Sequence, residues 1–166
     1  MKRLLVAVCA PLLIALAAAQ PALAQNEHFI RATGTLSGTD LTVSFKEAGL
    51  GANQNIDYVL SADATATYVC VNRGGANPSA QNKTTVSGPV TAAGTFNSGK
   101  NGQVTASLTV QPPGPGSFSC PSGQSLQIAQ VTYTNVAITD TTNNVTEPVP
   151  GTFSTGCLLP NVRGAC

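Results

Sequence analysis

Four cysteines, Cys70, Cys120, Cys157 and Cys166, are the residues most able to do chemistry in this sequence. In an oxidising compartment an even set of thiols forms disulfides. Four cysteines allow three pairings, and we favour Cys70–Cys120 with Cys157–Cys166. The second pair would close the C-terminal segment on itself, and the first would tie two strand ends across the fold. A four-thiolate zinc site is the rival chemistry, but the sequence has no CxxC pair to build one. No cofactor is expected.

Acid–base and nucleophilic chemistry have little material. His28 is the only histidine. It would have to serve any Ser-His-Asp site, and no GxSxG elbow accompanies it. A copper site built on an N-terminal histidine would need a second histidine. The carboxylates are Glu27, Asp40, Glu47, Asp57, Asp63, Asp140 and Glu147. Asp57 and Asp63 share a predicted strand face but lie about 20 Å apart along it, too far for paired-carboxylate hydrolysis. Most of these acids fall in turns or on outward faces. Asp140-Thr141-Thr142-Asn143-Asn144 offers oxygen ligands but lacks the alternation and terminal glutamate of a calcium loop, so a hairpin turn is expected there. These features point away from an enzyme.

Binding is expected on loops. Asn72 to Pro78 carries amides and one guanidinium, with Arg73 and Asn77 as the candidate contacts for a sugar or peptide. The ring closed by Cys157 and Cys166 would present Leu159 and Arg163 rigidly, as protease-inhibitor loops do. An extracellular protein, a glycan or a small apolar ligand are the partner classes left open.

The N-terminus sets the compartment. Met1-Lys2-Arg3 precedes an apolar run from Leu4 to Ala19, and Ala22-Leu23-Ala24 fits a small-residue cleavage site. Residues 1–24 therefore read as a signal peptide and residues 25–166 as one secreted domain. Pro11 and Pro21 interrupt the run, which argues against a membrane anchor. Without Lys2 and Arg3, six cations face seven acids. So few scattered cations build no basic patch, which disfavours nucleic acid and anionic membranes as partners.

The elements that must position these residues are strands. From Ile56 to Cys70 every even residue is apolar, while the odd ones are mostly polar, the period of a half-buried strand. Its length predicts a bend or break near Ser61–Asp63, and its alanines predict close packing under a facing sheet. Leu41, Val43 and Phe45 alternate likewise, as do Val104, Ala106, Leu108 and Val110. Between Val131/Tyr133 and Val136/Ile138 the parity flips, which predicts a β-bulge near Thr134-Asn135. Residues 90–96 and 103–111 read as a hairpin across Asn101-Gly102, and residues 130–139 and 146–154 as another. The expected fold is all-β: an immunoglobulin-like two-sheet sandwich of seven to nine strands stapled by disulfides.

Two local resemblances accompany this pattern. Asp63 to Cys70, with Tyr68 two residues before Cys70, resembles the late strand of immunoglobulin domains, whose tyrosine bonds its hydroxyl back to the chain. The mature chain has no earlier cysteine and no tryptophan, so the architecture carries over and the family does not. Gly102 to Val110 is similar to a strand of the neocarzinostatin-type chromophore carriers, exported sandwiches with two disulfides. Their disulfides each close a short loop, unlike Cys70–Cys120, so no ligand-cleft residue is transferred. As a whole the chain resembles small exported bacterial β-sandwich proteins of actinobacterial type with no established activity. The function expected from all this is a secreted, non-enzymatic binding or cell-envelope interaction module. The alternatives are a small-molecule carrier with a cleft between its sheets, or a secreted protease inhibitor.

Overall fold

A computed structural model describes residues 26–72 and 82–166. The expected signal peptide, residues 1–24, and the loop residues Arg73 and Asn77 lie outside the described residues. Eight strands and no helix are present among those described: β1 (His28–Ser37), β2 (Asp40–Ala48), β3 (Asn55–Asn72), β4 (Lys83–Asn97), β5 (Gln103–Val110), β6 (Gln124–Asp140), β7 (Val145–Pro148) and β8 (Phe153–Ser154). They form two antiparallel sheets, one ordered β1-β2-β5 and the other β4-β3-β6-β7, with β8 also on β6. The all-β two-sheet sandwich and both disulfides are as the sequence indicated.

Period-two alternation builds the interior. Leu41, Val43 and Phe45 from β2 meet Ile56, Tyr58, Leu60, Ala62, Ala64 and Ala66 from β3, all buried. Val131, Tyr133, Val136 and Ile138 complete the floor from β6. The expected bulge is on β6. Ser61 pairs with Ala137 and Asp63 with Thr134, so two residues of β6 oppose Ala62. Asn135 takes a left-handed φ of 51° there, which a short amide side chain tolerates better than most. No break forms in β3 at Ser61–Asp63, but its pairing with β6 is irregular at that expected place, with the extra residue carried by β6. A second shift, between Thr67 and Tyr68, leaves Ala129 without an opposite residue.

The hairpin expected across Asn101-Gly102 is not formed. β4 belongs to one sheet and β5 to the other, so Ser98–Gly102 carries the chain between layers. The cause lies in its partners. Ser98 is buried, donates its hydroxyl to the Gly51 carbonyl at 2.7 Å and receives the Gln54 amide on that same oxygen at 2.9 Å. The Leu50 amide donates to Gly102 O and the Asn53 amide to Gly99 O. The two loops that cross between sheets are therefore zipped together. Gly102, at φ 62°, lies so close that a Cβ would stand 3.1 Å from Gly51 O. The other hairpin is formed in part: Ala137–Asp140 pairs with β7 and Thr132–Tyr133 with β8.

All three tyrosines of the chain are buried, and each hydroxyl ties the larger sheet to something beyond it. Tyr58 donates to Glu47 on β2 at 2.7 Å, Tyr133 to Thr39 O in the β1–β2 turn at 2.8 Å, and Tyr68 to Pro113 O at 2.7 Å. Burial raises the Tyr68 phenol and pushes Tyr133 up to about 12, so both stay donors at any ordinary pH. Tyr68 thus secures the β5–β6 connection, the same loop that Cys120 anchors to Cys70. Tyr68→Phe should cost about 1 kcal/mol, the net worth of one hydrogen bond. Urea unfolding would read the loss, and faster amide exchange at residues 112–120 would localise it.

Candidate functional site

Two acids occupy inward positions. Glu47 follows Phe45 by two residues and so continues the core face of β2, and Asp140 follows Ile138 in the same way on β6. Both are 0 % exposed. Sequence reasoning placed most acids in turns or outward, and these two depart from that pattern. Their signal was the parity itself, which extends one step past each apolar run.

The surroundings of the two acids differ. Asp140 uses both oxygens as acceptors: Oδ1 takes the amides of Thr142 and Asn143, and Oδ2 takes the Asn143 side-chain amide. This organises the expected hairpin turn, closed by Asn144 at φ 59°. Glu47 receives the Tyr58 hydroxyl on Oε2, while Oε1 is buried with no donor among the described residues. Burial pushes the Glu47 carboxyl up to about 7; the Tyr58 hydrogen bond opposes this, and the nearby Asp140 and Glu27 carboxylates add to it. The Tyr58 phenol is raised too, first by burial and then by its bond to Glu47. A side chain from each of β2, β3 and β6 therefore meets inside one end of the sandwich, sealed from solvent.

The other acids are solvated. Asp57 accepts from Thr95 at 2.6 Å and Asp63 from Asn135 at 2.8 Å, both on the outer face expected of them. His28 is exposed and contacts Asn26 O. No group of three or more His, Cys, Asp or Glu is arranged for a metal among the described residues.

The C-terminal ring is partly structural. Leu159, Val162 and Ala165 pack against Val69, Val71 and Ala129, a small cluster on the outer face of the larger sheet. Leu159 is thus turned towards the sheet, while Arg163 is exposed and Leu158 is the leucine that faces solvent. Two successive turns, Val162 N to Leu159 O and Ala165 N to Val162 O, curl the ring.

The outer face of the smaller sheet has a composition of its own. Register sets Thr35 beside Thr42 beside Thr109, then Thr33 beside Ser44 beside Ser107, then Arg31 beside Lys46 beside Thr105. Neighbours lie about 4.8 Å apart across strands and about 6.8 Å along them. Seven hydroxyls and two adjacent cations make up these rows, with Asp40 at the far, turn end. Thr42 and Thr109 bond each other at 2.8 Å.

Set against known protein families, curated proteins and solved structures, the chain matches none of them.

Proposed function

We propose that this protein is an exported, non-enzymatic interaction module that binds an extended, anionic polysaccharide through the outer face of its smaller sheet. The supporting observation is the three-row array, Arg31 to Thr35 on β1, Thr42 to Lys46 on β2 and Thr105 to Thr109 on β5. Hydroxyls at strand spacing match the donors and acceptors of a sugar chain. The Arg31–Lys46 pair supplies charge complementarity at one end of the rows.

The rival functions have less support. A small-molecule carrier needs a cleft, and among the described residues no pocket opens. A protease inhibitor presents an extended segment, whereas the Cys157–Cys166 ring is curled by its two turns. An acid–base enzyme needs substrate to reach its acids, and Glu47 and Asp140 are enclosed.

Affinity electrophoresis tests the proposal. Gels containing polygalacturonate should retard the mature disulfide-bonded protein, and gels containing neutral dextran should not. Replacing Arg31 and Lys46 together by Gln should abolish most of the retardation. Equal mobility in all gels, or unchanged retardation of the double variant, would refute it.

A further inference from the structure

The sealed carboxyl pair has a consequence separate from polysaccharide binding. Glu47 Oε1 is fully enclosed and finds no donor, an arrangement folded proteins avoid because it forfeits solvation without replacement. The Asp140 carboxylate acts on it from β6 and favours its protonated form. Two carboxylates can only accept; one proton turns the orphan oxygen into a donor. Asp140 already engages both oxygens with donors from its turn, which assigns the proton to Glu47.

What lies over this pair is the N-terminal end of β1. Phe29 sits opposite Glu47 in the ladder. Its ring packs edge-on against Phe45 at 6.1 Å and Tyr58 at 6.3 Å. Asn26 crosses directly above Gly49, where an added Cβ would stand 2.1 Å from the Asn26 carbonyl oxygen. The ladder is irregular between Phe29 and Arg31, leaving Ile30 unmatched and 50 % exposed. Residues 26–29 can therefore lift without unpairing Arg31–Ser37.

We infer that Glu47 keeps its proton beside the Asp140 carboxylate and forms with it a pH-responsive latch under the start of β1, closed while Glu47 is protonated and loosened when that proton is lost to water. Loss of the proton takes the pair from one negative charge to two in an enclosed space. The charged or titratable groups that act on Glu47 are Tyr58 from β3, Asp140 from β6 and Glu27 ahead of β1, none of them a cation. Its ladder neighbours on β1 and β5, Phe29 and Val104, do not titrate. Repulsion is then relieved by admitting water, and residues 26–29, with Glu27 itself adding negative charge, are the segment that can move aside.

Hydrogen–deuterium exchange across pH tests this. After correction for the intrinsic base-catalysed rate, protection at residues 28–30 should fall roughly tenfold or more between about pH 5.5 and about pH 8.5, while residues 104–110 keep theirs. In Glu47→Gln, whose amide is neutral throughout, protection should stay flat. A flat wild-type profile would overturn the inference without reference to any variant. The same fall in Glu47→Gln would also overturn it.

Discussion

Acidifying the protein from about pH 8 to about pH 5 should raise its unfolding free energy, by on the order of 3 kcal/mol. The sign follows from Glu47, whose folded carboxyl is held at about 7 against an ordinary 4.5. Between those values the folded chain keeps a proton that the unfolded chain has released. Stability contributed by this group is therefore complete below 4.5, declines through the interval up to 7, and is level above it. Carboxylates in favourable ion pairs behave oppositely, and they dominate the familiar loss of stability in acid. Urea midpoints at a series of pH values, taken with a constant m-value, measure the effect. In Glu47→Gln the slope should vanish, leaving the variant more stable than the parent at pH 8. Stability that fell on acidification in the parent, or an identical slope in the variant, would show that Glu47 is not the group responsible.

Removing the Cys70–Cys120 bridge should have an effect of similar size, about 4 kcal/mol in the chain-entropy model. The bond spans 50 residues, so its loss restores much freedom to the unfolded chain. It also releases Cys120 and its loop from the end of β3, where the Tyr68 hydroxyl still bonds the Pro113 carbonyl. The Cys157–Cys166 bridge spans only 9 residues and should be worth about 3 kcal/mol. The two losses should differ in kind. Opening the first loosens one end of the sandwich. Opening the second lifts Leu159 and Val162 from Val69, Val71 and Ala129 and leaves the central core packed. Paired Cys→Ala variants followed by denaturant unfolding and dye binding would separate them. A Cys70/Cys120 variant within 1 kcal/mol of the parent would refute the larger claim.

Much of the fold was legible because strand alternation carries its own geometry. The even positions of β3 and the apolar triplet of β2 needed only a period of two, and the parity flip in β6 located the Asn135 bulge. Of three possible disulfide pairings, the one favoured for its local C-terminal ring and its tie between strand ends is the one formed. The Asn101-Gly102 turn was misjudged because Asn-Gly favours tight hairpins locally, whereas here the loop is captured by Gly51 and Gln54, some 50 positions earlier in the chain. Such a non-local contact leaves no periodic trace. The irregularity expected at Ser61–Asp63 and the bulge expected at Thr134-Asn135 are one feature: the strands pair there, and the extra residue belongs to β6.

The candidate sites were less legible. A charged residue at the end of an apolar alternation usually marks where a strand emerges into solvent, so sequence reading did not set Glu47 and Asp140 apart from the other acids. Tyr58 and the cover of Phe29 accompany the burial of Glu47, and donors from the Thr142–Asn143 turn satisfy Asp140. The hydroxyl rows were visible strand by strand as polar positions. Their alignment into an array depends on register across β1, β2 and β5, which is set by the two-residue Gly38-Thr39 turn on one side and by the crossing loops on the other.

A carboxyl group that stays protonated inside the sandwich near neutral pH underlies the stability profile and the latch alike. Carbon-13 NMR of the glutamate side-chain carboxyls, followed through a pH titration of the native disulfide-bonded protein, observes it directly. The Glu47 resonance should move with a midpoint close to 7. A midpoint in the range of an exposed glutamate, about 4.3, would contradict it.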